Sequence, residues 1–185
     1  MVNHGRSNGK MAYELVKSDH PALATKLEPF DFSNPPINPV ELATQLTETM
    51  LKHNGIGLSA NQCGLPYRVF VIASNPVIAC FNPRIIDQSE NTQIVMDEGC
   101  LSYPNLFLKV KRPRMIKVRY TLPNGETVTE KFDGMTARIF LHEMDHMDGT
   151  NFTTKVHRFH LDKALKKKQQ IMRAMKNARL ATSRV

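Results

Sequence analysis

The chain has no tryptophan, and aromatic residues make up only 7% of its 185 positions. Cysteine is nearly as scarce. Cys63, Cys80 and Cys100 form an odd set, which argues against a disulfide framework and for a reducing compartment. No apolar run approaches the roughly 20 residues that a membrane-spanning helix requires, so none is expected. The first ten residues are polar and hold no apolar stretch of the kind a secretory leader carries. Residues 1–10 are therefore expected to be a disordered leader or an expression remnant ahead of a start at Met11. Acidic residues at Glu14 and Asp19 speak against a transit peptide. Acids are also nearly missing from the end of the chain. From Lys155 to Val185 ten Lys and Arg face one acid, Asp162, a local charge of +9 that leaves −1 for the first 154 residues. The body is neutral and the tail is basic, which is a statement about the tail's partner rather than about the fold.

What remains is ordinary globular material, 41% apolar and 23% charged. The length suits one domain with a real core. The division expected is a catalytic domain over 11–154 and a basic C-terminal helix or tail over 155–185. The segment 11–36 carries Pro21, Pro29, Pro35 and Pro36 and reads as an irregular strap with one short helix. A helix then starts with Asn38 as N-cap, Pro39 at the first helical position and Glu41 at the third. Its buried stripe is Ala43, Leu46 and Met50, and Asn54-Gly55 ends it.

The middle of the chain reads as strands. Arg68 to Ala73 is apolar and β-branched; Val77 to Phe81 and Ile85-Ile86 predict short strands around a turn at Asn82-Pro83; Leu106 to Val110 predicts another. Met115 to Leu122 and Glu126 to Phe132 flank Pro123-Asn124-Gly125, the most legible hairpin. A helix follows from near Asp133 or Thr136 and stops at Gly149. The fold class expected is α+β: short, mainly antiparallel sheets packed around a central metal-binding helix, with a basic helix at the C-terminus.

That central helix carries F-L-H-E-M-D-H-M-D-G, Phe140 to Gly149. His142 and His146 are four apart, so both imidazoles leave one face and can share an ion at about 2.0–2.1 Å each. Glu143 can reach a metal-bound water without being a ligand and act as general base. A catalytic site commonly takes three protein ligands. The residues leave the third open among His157, His160, an acid and a cysteine such as Cys100; Asp145, three residues from His142, is poorly placed. Two more stretches stand out. G-I-G-L-S-A-N-Q, Gly55 to Gln62, alternates glycines with Ile56 and Leu58 and can present backbone closely to a ligand. D-E-G-C-L-S, Asp97 to Ser102, sets Cys100 in a strand-like context.

Taken in order, G-I-G-L-S-A-N-Q, E-G-C-L-S and H-E-M-D-H resemble the three signature segments of the peptide deformylase family, over roughly Met11 to Phe152. The resemblance implies a metal held by Cys100, His142 and His146, with Fe²⁺ as the physiological ion and Zn²⁺, Ni²⁺ or Co²⁺ able to substitute. It implies removal of the formyl group from the formyl-methionine end of newly made polypeptides. Glu143 would be the general base, and the oxyanion would be held by the metal, the Gln62 side-chain amide and the backbone N–H of Leu101. The peptide would add along Ile56 and Gly57, with Ile139 lining the methionine pocket and Phe107 at its rim. Glu98 would orient a ligand histidine, while Arg112 would pair with Asp145. Three positions depart from the family's frequent pattern: Phe107 replaces an Arg, Leu141 a Gln and Ser59 an Ala.

Leu161, Leu165, Met172 and Met175 fall on one stripe of the tail, which reads as a basic amphipathic helix. By resemblance its partner would be the ribosome, through ribosomal RNA. From His160 onward it has no aromatic residue, which argues against base stacking and membrane anchoring. A monomer in the cytoplasm of a bacterium or a phage-infected cell is expected, with an organelle as the other setting. Two rivals use the same helix. A metallopeptidase would need a third His or Glu ligand downstream of His146, and a binding protein with a structural metal would need a closed, four-ligand site.

Overall fold

The computed structural model describes residues 12–182 of the chain, with side chains to residue 179 in the tail. The expected leader, 1–10, lies outside the described residues. The strap wraps the body and contains one 3₁₀ turn, Pro21–Ala24. Helix α1, Pro39–Lys52, starts as the sequence dictates: Asn38 Oδ1 accepts from the N–H groups of Val40 and Glu41 at 3.0 and 3.1 Å. Two of the first turn's orphan donors are thereby satisfied.

Seven strands follow: β1 Gly57–Ser59, β2 Val69–Ile72, β3 Ile78–Gln88, β4 Gln93–Glu98, β5 Leu108–Pro113, β6 Met115–Thr121 and β7 Thr127–Asp133. Five make one sheet in the order β1-β2-β3-β6-β7, every pairing antiparallel, and β4-β5 form a separate two-stranded ribbon. Helix α2, Gly134–Met147, lies across the large sheet, and α3, Arg158–Thr182, leaves the body after a 3₁₀ turn at Phe152–Lys155. The architecture is the α+β class expected.

β2 explains the layering. Its four residues, Val69 to Ile72, are all fully buried. Successive side chains point to opposite faces, so Phe70 and Ile72 join Phe140 and Met147 of α2, while Val69 and Val71 join Leu42, Leu46 and Met50 of α1. Each such side chain contributes about 1.5–3 kcal/mol on burial. A third, smaller cluster of Leu106, Leu108, Val110 and Phe152 sits beneath the ribbon, with Leu161 and Ala164 of α3 against it.

The strand reading needs three corrections. No turn occurs at Asn82-Pro83, because β3 runs through it. Asn82 takes φ 49° within an irregularity between Phe81 and Arg84, and its amide bonds the strap at Phe30 N (2.7 Å) and Phe30 O (2.9 Å). β5 begins at Leu108 rather than Leu106, since Asn105 at φ 62° still belongs to the preceding turn. β4 is not legible as a strand because Gln-Ile-Val-Met-Asp-Glu lacks the alternation of a half-buried strand, and even paired with β5 only Glu98 is buried. The tail is helical as expected, and the stripe that meets the body is Leu161, Ala164, Lys168 and Ile171, each half-buried, with Asn105 Nδ2 3.4 Å from Met172 Sδ. Leu165, Met172 and Met175 are exposed, and the helix also includes exposed Phe159, an aromatic that a reading from His160 leaves out.

Candidate active site and metal centre

The centre of α2 is buried on all sides from Ala137 to Met147, charged residues included. A buried ionisable group must be paired or neutral, and each one here resolves that differently. Gly149, at φ 68°, ends the helix. A Cβ at this position would lie 2.8 Å from Lys26 N of the strap, so both the turn and the close packing require glycine.

Cys100, His142 and His146 place one donor atom each within 4.8 Å of one another, the one such group among the described residues. Cys100 Sγ is 3.3 Å from His146 Nε2. Donors at about 2.0–2.3 Å from a shared tetrahedral ion stand about 3.3–3.8 Å apart, a range that the Cys100–His146 pair already meets. Glu143 Oε2 beside these donors is buried with no hydrogen-bond partner, an orphaned acceptor suited to a polar ligand; His146 Nδ1, on the ring edge away from the sulfur, is unpartnered as well. A thiol with two imidazoles is a donor set for a borderline first-row ion. His157 and His160 are exposed on the tail and join no such group. Cys100 is not in a strand: β4 ends at Glu98, and Cys100 sits two residues on, at the start of a turn.

The electrostatics separate the groups. Burial pushes His146 down to about 3, assisted by the positive charge of His142 and Arg112. Burial opposes charge on His142 as well, but hydrogen bonds to Cys100 and Glu98 win and hold it at about 10. Glu143 is raised to about 7 by burial, against the pull of His142 and Arg112. Glu98 goes the other way, to about 2: burial would raise it, yet the bonds from Arg112 and His142 outweigh that. Metal capture requires deprotonated donors, so at neutral pH it must expel the proton on His142.

Glu98 is the hub behind the donors. It accepts from Arg112 Nε (2.6 Å) and Nη2 (2.8 Å), from Arg138 Nη1 (2.6 Å), and faces His142 Nδ1 at 3.1 Å. Arg112 Nη2 also reaches Asp145 Oδ2 at 2.9 Å, and Lys155 Nζ meets the other Asp145 oxygen at 2.9 Å. Arg138 and Lys155 escaped the sequence reading. The one sequence signal for Arg138 is a cation one turn before His142, on the helix face that carries both histidines.

Gln62 stands opposite, in the 3₁₀ turn Ala60–Cys63. Its Oε1 accepts from Ser59 N at 3.0 Å and faces Ser59 Oγ at 3.2 Å, and its Nε2 lies 3.1 Å from Ser102 Oγ and 3.4 Å from Cys100 Sγ. Asn61 next to it donates to the His146 carbonyl at 2.9 Å, tying this turn to α2. Ser102 and Asn61 stand inside the two motifs, and their bonding becomes legible only in the fold.

A cavity of about 570 Å³ opens above these groups, within the usual range for ligand sites. Ile56, Gly57, Gln62, Glu98, Cys100, Leu101, Phe107, Ile139, His142 and Glu143 all line it, whereas His146, Arg112 and Asp145 lie behind the lining. Exposure grades up one face of α2, from Glu143 (3%) through Ile139 (7%) to Met135 (48%). Ile56 and Phe107 complete an apolar mouth at 57% and 66% exposed. β1 is the open edge of the large sheet along this cavity.

The polypeptide deformylase family model matches residues 12–162. A peptide deformylase of Thermotoga neapolitana is 42% identical over 106 residues, 57% of this chain, and the match spans 64% of that protein's length. One from Caldanaerobacter subterraneus subsp. tengcongensis is 37% identical over 150 residues, 80% of this chain and 91% of the relative. The crystal structure of a Synechococcus elongatus peptide deformylase in complex with actinonin superposes with a TM-score of 0.79 at 31% identity, covering 87% of this chain and 88% of that one. With a family match across most of its length and the same architecture as a solved member, this chain belongs to the peptide deformylase family.

Proposed function

We propose that the protein is a metal-dependent hydrolase that releases formate from the N-terminal formyl-methionine of newly synthesised polypeptides. The observation that carries this reading is the meeting of Cys100, His142 and His146 beside buried Glu143, at the floor of a cavity that runs along an open sheet edge. Cys100, His142 and His146 would hold the ion, Fe²⁺ in the cell, with Zn²⁺, Ni²⁺ or Co²⁺ able to substitute. Such an ion supplies a water of lowered pKa and a Lewis acid for the carbonyl.

The chain's own residues supply the rest. Glu143, held near neutrality by burial, is suited to take a proton from the attacking water and later give it to the leaving nitrogen. Water adds to the formyl carbon, the C–N bond breaks, and formate and a free α-amine result. The Gln62 amide, fixed through Ser59 and Ser102, turns Nε2 toward the place where negative charge develops, with the Leu101 N–H as its partner. The peptide would extend β1 at Ile56 and Gly57, its methionine entering beside Ile139. Phe107 and Ile56 give the mouth an uncharged, apolar rim.

Helix α3 presents its Lys and Arg to solvent, which supports contact with ribosomal RNA close to where its substrate emerges in the cytoplasm. Such binding would weaken steeply with salt. We take the working form to be a monomer. Among the described residues, no helix is long and apolar enough to cross a membrane.

The test is formate release from a formyl-Met peptide by protein loaded anaerobically with Fe²⁺ or Ni²⁺, compared with Glu143→Ala and with chelated protein. Turnover confined to the loaded, unaltered protein supports the reading. Turnover undiminished by chelation would sink it. Chelated protein that stays folded would also set aside a purely structural metal.

A further inference from the structure

The three candidate donors come from two separate bodies. His142 and His146 ride on α2, whereas Cys100 follows two residues after the end of β4, in a ribbon that belongs to no larger sheet. Whatever fixes the ribbon against the helix therefore fixes the sulfur against the imidazoles.

Arg138 spans that joint. It lies four residues before His142, on the same face of α2, and is 5% exposed. Its Nη2 donates to the Ile94 carbonyl of β4 at 2.6 Å. Its Nη1 donates to the Val110 carbonyl of β5 at 3.1 Å and to Glu98 Oε1 at 2.6 Å. One guanidinium thus grips both ribbon strands and the carboxylate that faces His142 Nδ1. Arg112 approaches Glu98 from the opposite side, but from β5 itself, and reaches α2 through Asp145 and the Leu141 carbonyl (3.4 Å). Arg112 reaches the helix through one side chain and one long carbonyl bond; Arg138 holds a main-chain carbonyl on each ribbon strand, which no rotamer change can withdraw. Together the two arginines and His142 occupy the roughly four acceptor positions a carboxylate offers. Glu98 is left with one orientation, and so is the ring it faces.

We propose that Arg138 is a positioning residue that sets the distance between the Cys100 sulfur and the two-histidine helix, and so governs how tightly and in what geometry the ion is held. The proposal rests on Cys100, His142 and His146 being the ligands. A supporting shell of this kind typically changes metal affinity by about 10–100-fold when lost.

Co²⁺ is the probe, because a thiolate ligand gives it a charge-transfer band and low coordination gives intense visible bands. Arg138→Met and Arg138→Lys are made in the full chain, with Val118→Ala, in the buried sheet core, as a destabilised control. The measurements are the Co²⁺ spectrum and the rate of Co²⁺ loss to excess chelator. Arg138→Met is expected to lose the ion about 10–100-fold faster with shifted bands. Arg138→Lys should fall between, since an ammonium keeps the charge but cannot span three acceptors, and it decides the matter if the Met variant fails to fold. Val118→Ala should unfold more readily yet keep the unaltered spectrum and loss rate. Unchanged spectra and loss rates in both Arg138 variants would overturn the proposal, as would equal acceleration in Val118→Ala. Absence of a thiolate band in the unaltered protein would overturn the metal site itself, and this inference with it.

Discussion

Replacing Gly57 by alanine adds one methyl group at the tightest point of the cavity. The new Cβ would collide with the Glu143 carboxylate and stand 2.8 Å from Ile139 Cγ2 and 3.0 Å from Glu143 Cδ. Both neighbours are buried in α2, so they can yield only into the cavity they line, away from their present places. Overpacking of this kind costs about 1–3 kcal/mol of stability. The larger effect falls on the reaction: displacing a catalytic group by about 1 Å can cost about 100-fold, or about 2.7 kcal/mol of barrier. Formate release by Gly57→Ala should thus fall about 100-fold, with the ion retained because no donor is touched. The assay pairs steady-state formate release with urea unfolding and metal analysis. A double-mutant cycle isolates the cause. In a Glu143→Ala background the carboxylate collision is gone and only the Ile139 contact remains, so the stability cost of Gly57→Ala should shrink. An undiminished cost in that background, or wild-type turnover in the single variant, would refute the argument that Gly57 is glycine to admit Glu143.

Glu143→Ala should lower formate release by about 10²–10⁴-fold, yet its thermal midpoint should not drop, because an unpartnered buried oxygen is removed with the carboxylate. Glu98 makes metal-free stability depend on acid. Its folded pKa is depressed to about 2, so its contribution is complete above the unfolded value near 4.5 and is lost as pH falls through about 2. At about 1.4 kcal/mol per unit this is about 3 kcal/mol, readable as urea unfolding between pH 5.5 and 2 and reduced in Glu98→Gln; an identical slope in that variant would refute it. Asn38→Ala removes the cap of α1 and should cost about 1 kcal/mol in urea unfolding while leaving turnover unchanged.

Local rules fixed several features before any folding. Asn38-Pro39-x-Glu41 starts α1 whatever it packs against, because the first turn's donors need an acceptor within three residues. Val69 to Ile72 is apolar on both faces and must end between two layers. His142 and His146 share a face because four residues make about one helical turn. Other features have no local cause. Cys100 is 46 positions from His146, and only the E-G-C-L-S motif around it, not any local physical rule, sets it apart from Cys63 and Cys80; the fold around the β4-β5 ribbon brings its sulfur to 3.3 Å from that imidazole. Arg138 looks like a solvated helix cation until the ribbon covers it and hands it three acceptors. The break expected at Asn82-Pro83 vanished because the strap supplied bonds that a turn would otherwise have provided. The tail's apolar stripe was legible at helical spacing, but whether a body surface lies beneath it depends on where the helix leaves the domain. Periodicity and capping act over one turn or one strand, so the sequence by itself determined the elements and the pair of histidines. The motif around Cys100 pointed to it and to Glu98 only by resemblance; their closeness to the histidines, the four bonds to Glu98 and the cavity depend on contacts across tens of residues, and those only the tertiary structure decided.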